Sequence, residues 1–207
     1  MKTLETNDWM ILNSIIYKIY TTEDADIMRE QFLEQMKMVL DFDSADFFLA
    51  DSQESRHLVR PVTYNCDDES SMYDEMNSNC GIVYSGKSLV YRETDMISDE
   101  KRVQTEYYQK VYRPNNWHYA IQMILGRNKE FLGVVTFYRT IGKDNFQYDD
   151  IFILDMLKDH LAFRLYKDGQ QKDERAEKLT ITEVTEKYEL TKREHTILQL
   201  LMQGKDN

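Results

Sequence analysis

The sequence predicts an α+β domain, a central antiparallel sheet flanked by N- and C-terminal helices, followed by a C-terminal helical stub. Three observations carry this. Helical apolar periodicity gathers at the two ends of the chain. Short, aromatic and β-branched strand patterns gather between them as hairpins. Strands and helices do not alternate regularly, which argues against a doubly wound nucleotide-binding sheet.

The elements follow in order. Residues 8–20 read as a helix that Asp8 can cap, with Trp9, Leu12, Ile16 and Ile19 on one face. Residues 24–40 read as a second, with Ile27, Met28, Phe32, Met36, Val39 and Leu40 on its stripe. "ADFFLAD" (45–51) and "HLVRPVTY" (57–64) read as a hairpin across a polar loop, with Pro61 on an edge or at a bulge. The stretch 65–80 is acidic and rich in Met and Tyr. "SLVY" (88–91) reads as a strand, and 99–112 as a helix stopped by Pro114 and the Asn115–Asn116 pair. In "WHYAIQMIL" (117–125), Trp117, Tyr119, Ile121, Met123 and Leu125 alternate with His118, Ala120, Gln122 and Ile124. "FLGVVTFY" (131–138) returns from a turn as a run apolar on both faces, hence central. Residues 148–166 read as a long helix carrying Ile151, Leu154, Met156, Leu157, Leu161 and Leu165. Residues 167–189 are polar and charged, a linker or solvated helix, so the domain boundary falls there.

Composition narrows the function. The 207 residues carry a net charge of −11, with 18 Lys/Arg against 28 Asp/Glu up to Tyr166 and 8 against 9 beyond. Such an acidic body does not attract phosphate backbones unaided. Two cysteines, Cys66 and Cys80, make no disulfide framework and have no metal-type spacing. No stretch reads as a signal peptide or a membrane span, so the sequence reads as cytoplasmic with no membrane partner.

The stretch "ILGRNKEFLGVVTFYRTIGKDNFQYDDIFILDMLKDHLAFRL" (124–165) resembles the C-terminal half of a GAF domain. The resemblance rests on Gly133 in a strand, Arg139 at its end, Phe146 and Asp150 in "F-x-x-x-D", and the helix with Leu157, His160 and Leu161. Residues 20–123 fit in element order but not in motif. The residues agree with it physically. Gly133 allows close approach across the sheet, Phe146 can anchor its loop, and Asp149 and Asp150 sit where a helix dipole favours acids. The resemblance implies residues 1–166 as a GAF-like sensor domain that binds a small molecule and commonly dimerises through its terminal helices.

The closing stretch "ELTKREHTILQLLMQGKDN" makes a second resemblance. Thr191 to Glu194 form a capping box, Ile197, Leu198 and Leu201 an apolar stripe, and Gly204 is placed to end the helix. Leu190, Thr191, Arg193, Glu194, Leu198, Leu201, Gly204 and Asn207 are similar to the opening of a LuxR-type helix-turn-helix domain. This implies that residues 190–207 are its first, scaffolding helix. The helix that would enter the major groove lies outside the sequence, so the chain reads as a fragment of a longer regulator that meets DNA only through the missing part.

Aromatic residues crowd the middle of the chain: Tyr64, Tyr73, Tyr84, Tyr91, Tyr107, Tyr108, Tyr112, Trp117 and Tyr119. Read with the resemblance, they suggest a ligand pocket between the sheet and the segments 65–80 and 99–112, lined by Phe48, Tyr64, Met72, Tyr91, Tyr108, Val111, Trp117 and Tyr119. The plain alternative is a Tyr-rich core. Asp67, Asp68 and Glu69 could favour a cation or be a solvated loop. Cys66 and Cys80 read as small half-buried residues, His57 and His118 as no metal set, and His160 as a structural residue, with haem ligation or pairing with Asp155 or Asp159 as the alternatives. No nucleotide-binding glycine loop, catalytic triad or paired-carboxylate motif is present, so no catalytic residue, cofactor or metal is expected. The expectation is a ligand-responsive transcriptional regulator acting as a homodimer. The alternatives are a GAF-like dimerisation or interaction module without ligand or DNA, and a thiol enzyme.

Overall fold

Glu5 and Asp8 open the first helix by exchanging backbone bonds, Asp8 taking the Glu5 N–H at 2.9 Å. The computed structural model describes residues 4–51, 58–66, 86–177, 184–185 and 187–202. Helix α1 spans Thr6–Thr21 and buries Leu12, Ile15 and Ile19. Trp9 stays 51% exposed, so the buried stripe is turned away from the side that includes it. Helix α2 spans Ala25–Met36, with the Asp24 carboxylate capping the N–H groups of Asp26 and Ile27. Met28, Phe32, Leu33 and Met36 face inward while Ile27 points to solvent. The segment 37–40, expected to be helical, is a turn.

The strands are β1 (Ser44–Ala50), β2 (Leu58–Tyr64), β3 (Leu89–Arg92), β4 (Trp117–Arg127) and β5 (Glu130–Thr140). They form one antiparallel sheet in the order β2-β1-β5-β4-β3. Pro61 lies on the edge strand β2. The β1–β2 register shifts between Phe47 and Leu49, and neighbouring Arg60 takes a φ of 51°. The central position of β5 depends on Gly133, where a Cβ would stand 2.4 Å from the Phe48 carbonyl oxygen.

Two stretches depart from the expected pattern. Residues 99–112 are not one helix. After a short helix α3 (Glu93–Met96), they form a second short helix, α4 (Asp99–Arg102), and then a π-helical segment, Tyr108–Tyr112. Thr105 causes the break. Its hydroxyl donates to the Arg102 carbonyl at 2.7 Å and accepts the Tyr108 N–H at 3.2 Å, in place of the helical ladder. In β4 the register slips between Trp117 and Tyr119, next to Asn116 at φ 58°. This bulge turns Trp117 to the face opposite Ile121, Met123 and Leu125.

Helix α5 spans Tyr148–Glu177. It includes the first part of the segment read as linker or solvated helix, since Lys167–Glu177 holds no proline and one glycine. Gln147 and Asp150 cap it, with the Gln147 N–H donating at 2.7 Å. One face of the sheet is covered by α1, α2 and α5. Ala45, Phe47, Ile121, Met123, Val135 and Phe137 meet Leu12, Ile19, Phe32, Leu154, Leu157 and Leu161 there in a single core. Buried guanidinium groups pin it. Arg29 donates to the Phe47 carbonyl at 2.9 Å and to the Arg60 carbonyl. Arg164 donates to the carbonyls of Ile19 and Glu23.

The chain divides into two units, Met1–Tyr166 and Lys167–Asn207. In the second, helix α6 spans Lys192–Met202. Its capping box forms, with the Thr191 N–H and hydroxyl both donating to Glu194 Oε2, at 2.8 and 2.7 Å. Ile197, Leu200 and Leu201 are exposed and Leu198 is half-buried. Gly204 and Asn207 lie outside the described residues.

Candidate functional site

The second face of the sheet carries the site. Its residues alternate with the helix-side core, and pairing aligns them in transverse rows. Phe48, Val134, Ile124 and Leu89 make one row, and Ser44, Tyr138 and Ala120 another. Between them runs a row that is polar from edge to edge: Thr63, Asp46, Thr136, Gln122 and Tyr91. Its centre is deeply buried, with Asp46 at 3%, Thr136 at 0% and Gln122 at 2% exposure. Buried polar atoms are costly unless paired, and most here are. Tyr138 donates to Asp46 Oδ2 at 2.7 Å, and Tyr91 donates to Gln122 Oε1. Thr136 Oγ1 is buried with no hydrogen-bond partner among the described residues.

Aromatic clusters stand on both sides of this row. Phe48, Ile124 and Val134 pack with Tyr91 and Phe131. Tyr108, Val111, Tyr112, Trp117, Ala120 and Tyr138 pack with Cys66, Val103 and Tyr107. The bulge at His118 lets Trp117 stack on Tyr138 at 3.9 Å and 10°. The Arg113 N–H reaches the Tyr108 carbonyl five residues back, which widens the turn and brings Tyr107, Tyr108 and Tyr112 together.

Glu93 closes the cluster from α3. It accepts the Tyr112 hydroxyl and stands 3.5 Å from the Arg102 guanidinium. Arg102 also pairs with Asp99 at 2.7 Å and lies over the rings of Tyr108 and Tyr112. Burial raises the Glu93 carboxyl above its ordinary value, against the opposing pull of Tyr112 and Arg102. Burial, and then nearby Glu93, Asp46 and Tyr91, hold the Tyr107 phenol well above its own. A carboxyl whose folded value exceeds its unfolded one leaves stability highest below the unfolded value and lowers it as pH rises through the folded value. Glu93→Gln is therefore expected to flatten the decline in melting midpoint that starts above the ordinary value of 4.5. A pH series of thermal melts checks this, and an unchanged slope would contradict it.

Of the sequence-predicted lining residues, Phe48, Tyr91, Tyr108, Val111 and Trp117 lie on this face. Tyr64 and Tyr119 do not. Both pack against the helix-side core, Tyr64 edge-on to Phe42 at 5.5 Å. Met72, Cys80, His57, Tyr73, Tyr84 and the acidic run 67–69 lie outside the described residues. The sequence reading missed Asp46, Thr136, Gln122, Glu93 and Tyr138. A single polar residue in the middle of each of three apolar strands was the available signal, but only strand register shows that they line up.

The other singled-out residues have local partners. Cys66 Sγ donates to the Ala45 carbonyl at 3.3 Å. His118 lies between the Tyr108 hydroxyl at 2.7 Å and Asp99 at 3.4 Å. His160 bonds Tyr20 at 2.9 Å rather than Asp155 or Asp159, both of which flank Lys158. Among the described residues, no three His, Cys, Asp or Glu side chains could hold a metal ion. No helix among them is long and apolar enough to cross a membrane. An open cleft of about 550 Å³ lies beside Asp41, Arg139 and Lys143. Its polar groups are engaged with one another. Arg139 donates to the carbonyls of Asp41, Asp144 and Asn145 and to Asp150, and Lys143 pairs with Asp41 and Asp43.

Solved structures share this architecture. The GAF domain of a phosphoenolpyruvate-protein phosphotransferase from Acinetobacter matches over 81% of this chain and 97% of its own, with a TM-score of 0.59 at 12% identity. The corresponding domain from Coxiella burnetii matches over 80% and 96%, with a TM-score of 0.57 at 13% identity. The phycocyanobilin-bound GAF domain of a cyanobacterial phytochrome matches over 81% and 98%, with a TM-score of 0.58 at 8% identity. No protein-family model and no curated protein matches the sequence. The five-stranded antiparallel sheet with its flanking helices has the GAF-like fold.

Proposed function

We propose that this chain is the small-molecule-sensing part of a cytoplasmic transcriptional regulator, non-enzymatic and dimeric. The observation that carries the reading is the buried polar row of Asp46, Thr136 and Gln122 between two aromatic clusters. Polar atoms that fix orientation between apolar walls are the usual composition of a ligand site. A fold shared with a phycocyanobilin-bound domain supports small-molecule binding as a role for this fold. The capped helix α6, with Ile197, Leu200 and Leu201 exposed, supports its reading as the first helix of a LuxR-type helix-turn-helix domain. The ligand would act by favouring one of two arrangements that differ in DNA affinity. DNA affinity of the full-length protein, measured with and without a metabolite extract of the source organism, tests this. A shift of about fivefold or more would be the expected coupling. An unchanged affinity across all extract fractions would remove the regulator reading.

A further inference from the structure

The outer face of α1 is uncharged in a chain of net charge −11. At about 3.6 residues per turn, Thr6, Trp9, Asn13, Ile16 and Tyr20 fall on one stripe with the spacing of a heptad seam. Met10 and Tyr17 border it. Asp8 and Lys18, the charged residues of the helix, lie off it. Leu12, Ile15 and Ile19 are turned to the core, while Met10 is 68% exposed, Tyr17 66%, Trp9 51% and Tyr20 44%. Tyr20 is held in place by His160 at 2.9 Å and lies against the Phe163 ring at 6.1 Å, so exposed Phe163 extends the patch onto α5. With aromatic side chains of about 150–250 Å² each, roughly half exposed, the patch offers on the order of 500–600 Å². That is at the top of the range for the largest apolar patch on a monomer, and most of the ~800 Å² that each partner gives to a stable interface.

The stripe is also its own complement. A two-fold axis at Asn13 that lays a second α1 antiparallel brings Met10 against Tyr17 of the second copy and Trp9 against its Ile16. It sets Asn13 on Asn13, where two amides exchange hydrogen bonds. A closed pair requires such a self-complementary patch, and one polar residue within an apolar seam fixes the register. Charge selects the direction. Antiparallel helices lay the acidic first turn, with Glu5 and Asp8, beside the end that carries Lys18, and their dipoles oppose. Parallel helices would lay carboxylates beside carboxylates.

We propose that two copies of this chain pair through α1, antiparallel, about Asn13. The inference rests on the dimeric part of the reading above and adds the surface, the register and the direction. Sedimentation equilibrium of the full chain tests it, with Met10→Glu, Tyr17→Lys and an equimolar mixture of the two. The wild type is expected to dimerise, and more tightly as salt is raised, because screening weakens the repulsion between two acidic bodies. Each variant should raise the dissociation constant at least about tenfold, as the loss of a central contact does, with its helical circular dichroism unchanged. The mixture should return to within about threefold of the wild-type affinity. There the glutamate of one copy meets the lysine of the other, and the second crossing keeps Met10 against Tyr17. If either variant fails to fold, Asn13→Asp decides, since it sets two carboxylates on the axis and should weaken the dimer by about as much. A wild-type dimer that the folded variants retain in full would overturn the α1 surface and leave the dimeric reading standing. Weakened variants whose mixture gains nothing would overturn the antiparallel register. A wild type that stays monomeric at every concentration would overturn the dimeric reading and the surface together.

Discussion

Phe137→Ala is expected to lower the unfolding free energy by about 3–5 kcal/mol, the range for emptying a buried aromatic site. Phe137 is fully buried in the middle of β5. It pairs with Ala45 on one side and Ile121 on the other, and meets Phe42 edge-on at 4.9 Å. The neighbours that could collapse into the cavity belong to three strands and the helices above them, so relaxation is limited. Phe137→Leu keeps most of the volume and should lose less than half as much. Urea denaturation measures both, and equal losses for the two would contradict the packing account.

Arg139→Met is expected to cost about 2–3 kcal/mol, through carbonyls left without donors. The guanidinium lies at the end of β5, 8% exposed, with the Phe146 ring 4.1 Å from its centre. It joins three segments, donating to the Asp41 carbonyl at 2.8 Å, to the 144–145 loop, and to Asp150 in the first turn of α5 at 3.2 Å. Methionine keeps the apolar stem and removes every donor. Arg139→Lys restores the charge but lacks the planar fork, so it should recover less than half of the loss. Thermal and urea melts of the two variants decide, and full recovery by lysine would show that charge alone mattered.

Arg139 and Gly133 also show how much of the architecture the sequence declared. Both are local features of one strand and its following loop, and both do what their positions imply. The β4–β5 hairpin and the helix from Tyr148 were legible for the same reason, since alternation and helical periodicity act within a dozen residues. Tertiary events were hidden. Trp117 changes face because one extra residue enters β4, and an asparagine that tolerates a left-handed backbone allows it without demanding it. Thr105 breaks a helix whose apolar spacing continues undisturbed through it. Tyr64 and Tyr119 belong to the aromatic-rich middle of the chain yet face the helices, because strand parity and not composition assigns their side. The polar row was the least legible feature. Asp46, Thr136 and Gln122 lie on three strands, up to 90 positions apart in number, and become neighbours only through register.

The central claim is that the second face of the sheet holds a small molecule. Native mass spectrometry of the full-length protein purified from its source organism tests it most directly, with Thr136→Val purified in parallel. The account predicts an extra non-covalent mass on the wild type, lost on denaturation and reduced in the variant. A wild-type mass with nothing added, or an added mass that Thr136→Val retains in full, would contradict it.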